Sequence, residues 1–139
     1  MNKLIRILLL SLVMFVSGAV ASTPEEQVLF DKEVTALRGD FKEMHFLVPD
    51  SHESWEFHGE FRSMGGMHDD ITFRALDQSN YVRWFSHYGH KAEAQFEKKK
   101  NGKFTFVAKP GETYYFVFDN FFSSVSNKTI HFNLKLVPK

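Results

Sequence analysis

The chain has 139 residues, with 17 basic and 17 acidic side chains, seven histidines, 16 phenylalanines and no cysteine. A neutral balance supplies no field for nucleic acid or an anionic membrane, and without cysteine there is neither a disulfide framework nor a thiol nucleophile. The phenylalanines provide a core that needs no staples, since each buried ring removes about 150–250 Å² from water.

In chain order, Lys3 and Arg6 precede an apolar run from Ile7 to Val16, followed by Ser17-Gly18 and Ala19-Val20-Ala21. A basic start, a short apolar centre and small residues at a cleavage position are the marks of a secretory signal peptide, here residues 1–21. The run falls short of the roughly 20 residues of a membrane span, so cleavage is expected, with an uncleaved anchor as the alternative. Without a cysteine it cannot carry a lipoprotein anchor. Cleavage after Ala21 leaves 118 residues, 15 basic and 17 acidic, and a net charge of about −2 with neutral histidines. That is one secreted or periplasmic domain, with no membrane span after cleavage and no affinity for nucleic acid.

Residues 22–40 form an N-terminal segment. Thr23-Pro24 with Glu26 reads as a helix start, and Val28, Leu29, Phe30, Val34 and Leu37 fit a short amphipathic helix ending near Gly39. A strand within a flexible tail is the alternative. From Phe41 to the end the period changes to two. Met44, Phe46 and Val48 alternate before Pro49-Asp50-Ser51; Trp55, Phe57 and Phe61 alternate with Glu56, His58, Glu60 and Arg62. Ser63-Met64-Gly65-Gly66 is a loop, Asp69-Asp70 leads into Ile71, Phe73 and Ala75, and Asp77–Asn80 turns into a strand over Tyr81–Ser86. Ala92, Ala94 and Phe96 follow, and Asn101-Gly102 predicts a hairpin into Phe104 and Phe106, with the neighbouring lysines Lys98–Lys100 and Lys103 solvated. Tyr114, Phe116 and Phe118 then alternate with other apolar residues, as in a strand covered on both faces. Ile130, Phe132, Leu134 and Leu136 alternate with polar ones. Asp119, Asn120 and a serine-rich loop join these last two into a hairpin-like pair. The class is all-β: an antiparallel, jelly-roll-like β-sandwich of about eight strands over residues 41–139, with the N-terminal helix as an appendage.

Chemistry is harder to find. His87 and His90 have an H-x-x-H spacing and His68 adjoins Asp69, but neither pattern carries a full metal-ligand set, so these four are weak candidates only. Strand histidines His45, His58 and His131 fall on wet faces. No G-x-S-x-G elbow, phosphate-binding glycine loop or activated serine is present, so no catalytic residue and no cofactor is implied. Exposed aromatics remain. Trp84 and Tyr88 cluster with Tyr81 and Phe85, while Phe121 and Phe122 follow Asn120; a large ring left wet on a loop marks a contact site.

Gly111-x-x-Tyr114-Tyr115-Phe116-Val117-Phe118-Asp119-Asn120, then Phe122-Ser123, then Lys128 and an alternating strand, resembles the closing stretch of the GOLD (Golgi dynamics) domain. Asp69-Asp70-Ile71-x-Phe73 and the Asn80–Trp84 stretch look like the middle of the same domain. The resemblance spans roughly Phe41 to Val137. It implies a non-catalytic β-sandwich for protein–protein contact, as in the lumenal domains of cargo receptors of the early secretory pathway and in lipid-transfer proteins. Unlike the cargo receptors, this sequence has no cysteine pair, coiled coil or membrane span beyond the signal.

The function expected is therefore that of an exported, non-enzymatic module binding a protein through a sheet face or the 121–126 loop, with Phe121, Phe122, Trp84, Tyr88 and Asn120 as candidates. A carbohydrate- or lipid-binding module using Trp55, Trp84 or Tyr88 as a platform is the first alternative. A small metal-dependent enzyme on His68, Asp69, His87 and His90 is the second. Asn127-Lys128-Thr129 is a glycosylation sequon if the source is eukaryotic.

Overall fold

The protein is described by a computed structural model that covers residues 25–51 and 53–139. The signal peptide and Thr23-Pro24 lie outside the described residues. Eight strands run in the order β1 (Gln27–Ala36), β2 (Phe41–Leu47), β3 (Trp55–Met64), β4 (Ile71–Asp77), β5 (Ala94–Lys99), β6 (Asn101–Ala108), β7 (Thr113–Asp119) and β8 (Lys128–Pro138). One helix, α1 (Gln78–Phe85), separates β4 from β5. The strands form two antiparallel four-stranded sheets, β1-β8-β3-β6 and β2-β7-β4-β5, packed face to face as a β-sandwich.

The core follows from the period-two pattern. Phe57 and Phe61 of β3, Phe104 of β6 and Phe132 of β8 point in from one sheet; Phe73 of β4 and Phe116 and Phe118 of β7 point in from the other, all buried. Ring centroids meet across the interface at 4.9 Å for Phe73–Phe104, 5.0 Å for Phe118–Phe132 and 5.4 Å for Phe57–Phe116. Such pairs add about 0.5–1.5 kcal/mol each beyond burial of their area. The inward-facing position between Phe57 and Phe61 on β3 is glycine, Gly59, because a Cβ there would overlap the Phe104 ring.

Four local expectations are corrected. Residues 27–36 are a strand, the alternative to the expected helix: β1 pairs with β8 from Gln27↔Leu136 to Ala36↔Lys128 and buries Val34 and Ala36. A register shift between Val28 and Phe30 breaks the alternation, which hides the strand in the sequence. Residues 78–85 are helical, not a strand. Asp77 caps α1, its side chain accepting from the Asn80 N–H at 2.8 Å, and Tyr81, Trp84 and Phe85 share one face at i, i+3 and i+4. Asn101-Gly102 makes no hairpin: β5 pairs with β4 and β6 pairs with β3, so the chain crosses between the sheets at Lys100, with Lys98 taking the positive φ of 48°. Finally, β7 and β8 are not neighbours. Each is an interior strand of a different sheet, and they meet only through core rings such as Phe116 and Phe132 at 5.8 Å.

Interior placement explains why β7 is apolar on both faces. Its inward side packs in the core, and its outward side lies under α1, where Tyr81 stacks flat on Tyr115 at 4.0 Å and 4°. Buried Tyr114 keeps its hydroxyl satisfied by accepting from the Lys109 N–H at 3.1 Å.

Candidate functional site

The loop after β7 is held from within. Asn120 is fully buried, and its Nδ2 donates to the carbonyls of Ala36 (3.2 Å), Leu37 (3.2 Å) and Ser126 (2.9 Å). Its backbone N–H donates to Asp40 O at 2.9 Å, and its carbonyl accepts from Gly39 N–H at 3.2 Å. It therefore ties the β1–β2 turn to the β7–β8 loop. Asp119 does similar work at the surface: Oδ2 accepts from Arg74 at 2.8 Å and Oδ1 from the Phe121 N–H at 2.9 Å. Ser123 Oγ and the Ser126 backbone close the loop at 3.2 Å. Lys128, nearly fully buried, donates to Gly65 O at 3.0 Å and Asp70 Oδ1 at 3.1 Å, locking the β3–β4 loop against β8.

That lock leaves the two phenylalanines outside. Phe121 is 52% exposed and Phe122 39% exposed, so neither belongs to the core. They diverge. Phe122 lies under Lys98 Nζ at 5.2 Å, whereas Phe121 turns toward the start of β2 and the end of α1. There its ring stands 5.6 Å from Phe41 and 6.5 Å from Trp84, while Phe41 meets Trp84 edge-on at 5.2 Å and Phe85 at 6.1 Å. Phe41, Trp84, Phe85, His87, Asp119 and Phe121 line a depression of about 440 Å³. Arg74 underlies it, its guanidinium 5.7 Å from the Trp84 ring and paired with Asp119. Beside it, burial pushes the Tyr81 phenol above its ordinary value, with Glu43 adding to the shift. The patch is a largely aromatic surface that lies over the Arg74–Asp119 ion pair.

The other candidates are dispersed. Tyr88 is 69% exposed beyond the end of α1 and is not among the residues that line the depression. Trp55 is buried and cannot serve as a sugar platform. Among the described residues, no three His, Asp or Glu side chains come close enough to share an ion, so His68, Asp69, His87 and His90 are not brought together. His87 has a different task. It takes φ 62° just past the C-cap Ser86, with its N–H donating to Trp84 O (3.1 Å) and the Tyr88 N–H to Arg83 O (2.8 Å), the hydrogen bonds of a Schellman helix stop. Asp69 is turn chemistry too: the Gly65 N–H at 2.7 Å holds its carboxyl below the ordinary carboxylate value.

The sheet faces differ. The outer face of β8-β3-β6 is polar, with depressions of about 420 Å³ and 700 Å³ lined by residues such as His58, Glu60, Lys103 and Asn133. Among the described residues it carries no exposed aromatic ring. Phe41 and Phe85 are members of the patch that a search by loop position alone passes over. Their signal was the i, i+3, i+4 grouping in α1 and an apolar residue at the first outward position of β2.

The described residues thus form an all-β sandwich with a cluster of aromatic rings at its surface. The chain belongs to the emp24/gp25L/p24 family/GOLD, whose model matches residues 42–138, well over half of its length. That family is non-enzymatic and resembles cargo receptors. Comparison with curated proteins gives no match. No helix among the described residues is long and apolar enough to cross a membrane.

Proposed function

We propose that the protein is an exported, non-catalytic module that binds another protein through the aromatic patch of β2, α1 and the loop after β7. The observation that carries this reading is the gathering of Phe41, Trp84, Phe85 and Phe121 around one open depression, with Phe85 and Phe121 more than half exposed. Large apolar groups grouped at a surface are retained where they meet a partner, and rings in a central pocket dominate binding energy. Of the two surfaces suggested by the sequence, the loop is favoured over a sheet face, because among the described residues the patch is where exposed aromatic rings gather around one depression. Export rests on the basic, apolar and small-residue order of residues 1–21.

The test is capture of partners by immobilised protein, compared with a Phe121→Ser variant. Phe121 is exposed, so the variant keeps its circular dichroism spectrum while its affinity falls by about 30-fold or more, the range of a hot-spot residue. Equal capture by a folded variant overturns the reading.

A further inference from the structure

We propose that one end of the sandwich, where the β1–β2, β3–β4, β5–β6 and β7–β8 connections meet, docks on a phospholipid bilayer by inserting apolar loop tips among the headgroups. This goes beyond the protein contact at the depression and uses other side chains. Neighbouring strands are antiparallel throughout, so the odd-numbered strands finish and the even-numbered strands start at this end. Hydrogen bonds bind its connections into one surface. Arg38 N–H donates to Asn127 Oδ1 at 2.9 Å, and Gly39 N–H to Ser123 O at 2.8 Å. Lys128 reaches Gly65 O, and Ser63 N–H donates to Lys100 O at 2.7 Å.

The tips of that surface are apolar and stand in water. Met67 is 92% exposed and Val125 81% exposed, and Leu37 and Phe122 are exposed as well. Among the described residues, the connections of the opposite end, 48–54 and 109–112, hold no exposed large hydrophobic side chain. None of the four tips lines one of the depressions above. A folded partner would need a matching cavity for each protruding group. The boundary between headgroups and acyl chains takes them without one.

Charge points to the same occupant. The carboxylates of these connections are each engaged. Asp40 Oδ1 accepts from the Phe41 N–H at 2.8 Å, Asp69 from the Gly65 N–H with Lys100 at 3.6 Å, and Asp70 pairs with buried Lys128. Arg38, Lys98, Lys99 and Lys100 are exposed, and among the described residues only Lys100 of these holds an ion pair. Arg38 adjoins Leu37 in the chain, and Lys98 Nζ lies 5.2 Å from the Phe122 ring. The neutral balance of the whole chain therefore does not extend to this end. Cations beside apolar tips meet headgroup phosphates as the tips go in.

Vesicle co-sedimentation tests this with protein expressed from the full-length sequence and recovered after export. Wild type pellets with vesicles of phosphatidylcholine and phosphatidylserine in equal parts, and less with phosphatidylcholine alone. Met67→Ser/Val125→Ser lowers the partition coefficient about tenfold or more, because two apolar side chains no longer leave water. Lys98→Glu/Lys99→Glu lowers it about tenfold or more on the mixed vesicles. Val107→Ser, at an exposed apolar position of the opposite end, leaves it unchanged. Every substituted position is exposed, so the variants keep the circular dichroism spectrum of wild type. Wild type that stays in the supernatant, binding indifferent to Met67→Ser/Val125→Ser, or an equal loss in Val107→Ser overturns the proposal. A protein captured through Met67 and Val125 while vesicles capture nothing assigns this end to a protein partner and overturns it too. Capture by Phe121→Ser reads the contact at the depression separately, so either reading can fail alone.

Discussion

Asn120→Ala will destabilise the protein by about 2 kcal/mol, since it removes the Nδ2 donor shared by the Ala36, Leu37 and Ser126 carbonyls, of which Leu37 O keeps the Asp40 N–H and Ser126 O keeps Ser123 Oγ. A buried group left unpaired costs about 1–3 kcal/mol, and the donors that remain on Leu37 O and Ser126 O keep the total well below three such penalties. Asn120→Asp is expected to be no better, because a carboxylate turns acceptors toward carbonyl oxygens. Urea unfolding followed by circular dichroism measures both. Because Asn120 has no exposed surface, any loss of binding in these variants should track the loss of folded protein. A variant that remains as stable as wild type but fails to bind would make Asn120 a contact residue instead.

Lys128→Met should cost about 3 kcal/mol. The lysine side chain is 4% exposed while its partner Asp70 is 21% exposed, so the pair is buried chiefly on the lysine side. Removing one member of a buried pair costs about 3–5 kcal/mol because the other is left uncompensated; here water can still reach Asp70, which moderates the loss. Gly65 O loses a donor as well. The β3–β4 loop then detaches from β8, so backbone amides around Gly65 and Gly66 should exchange faster than those of the sheet centre. A Met variant of unchanged stability would mean that the pair contributes nothing net.

These two residues illustrate what the sequence made legible and what it did not. The stretch Asp119-Asn120 to Lys128 carries the resemblance to the GOLD domain, yet its polar members are engaged in holding loops: Arg74 on Asp119, three carbonyls on Asn120, Asp70 on Lys128. A resemblance of this kind points to a fold and not to a site. The sheet strands were readable because inward phenylalanines alternate with wet residues. β1 was not, since its register shift disrupts the alternation, and α1 was missed because eight residues with two aromatic neighbours imitate a strand unless Asp77 is taken as its cap. Pairing partners were the least legible. Asn101-Gly102 has the composition of a hairpin turn, but Phe96 and Phe104 are drawn into different sheets' inner faces, and core burial outweighs a local turn preference.

Part of the contact surface was visible beforehand. Phe121 and Trp84 could be singled out as rings in a loop and in an aromatic cluster, and the structure brings both to one depression. Phe122 and Tyr88 shared the same signal and lie apart from it, because neighbouring positions in a loop point in different directions. Phe41 entered only through the fold, which carries the first residue of β2 beneath the last turn of α1.

The central claim is that contact is made through the aromatic patch and not through the polar sheet face. A photo-reactive phenylalanine analogue placed at Phe121, and separately at Thr105 on the outer face of β6, addresses this directly. Crosslinked product from position 121 with little or none from position 105 is the predicted result. Crosslinking from position 105 with none from position 121 would move the contact to the sheet face and contradict the account.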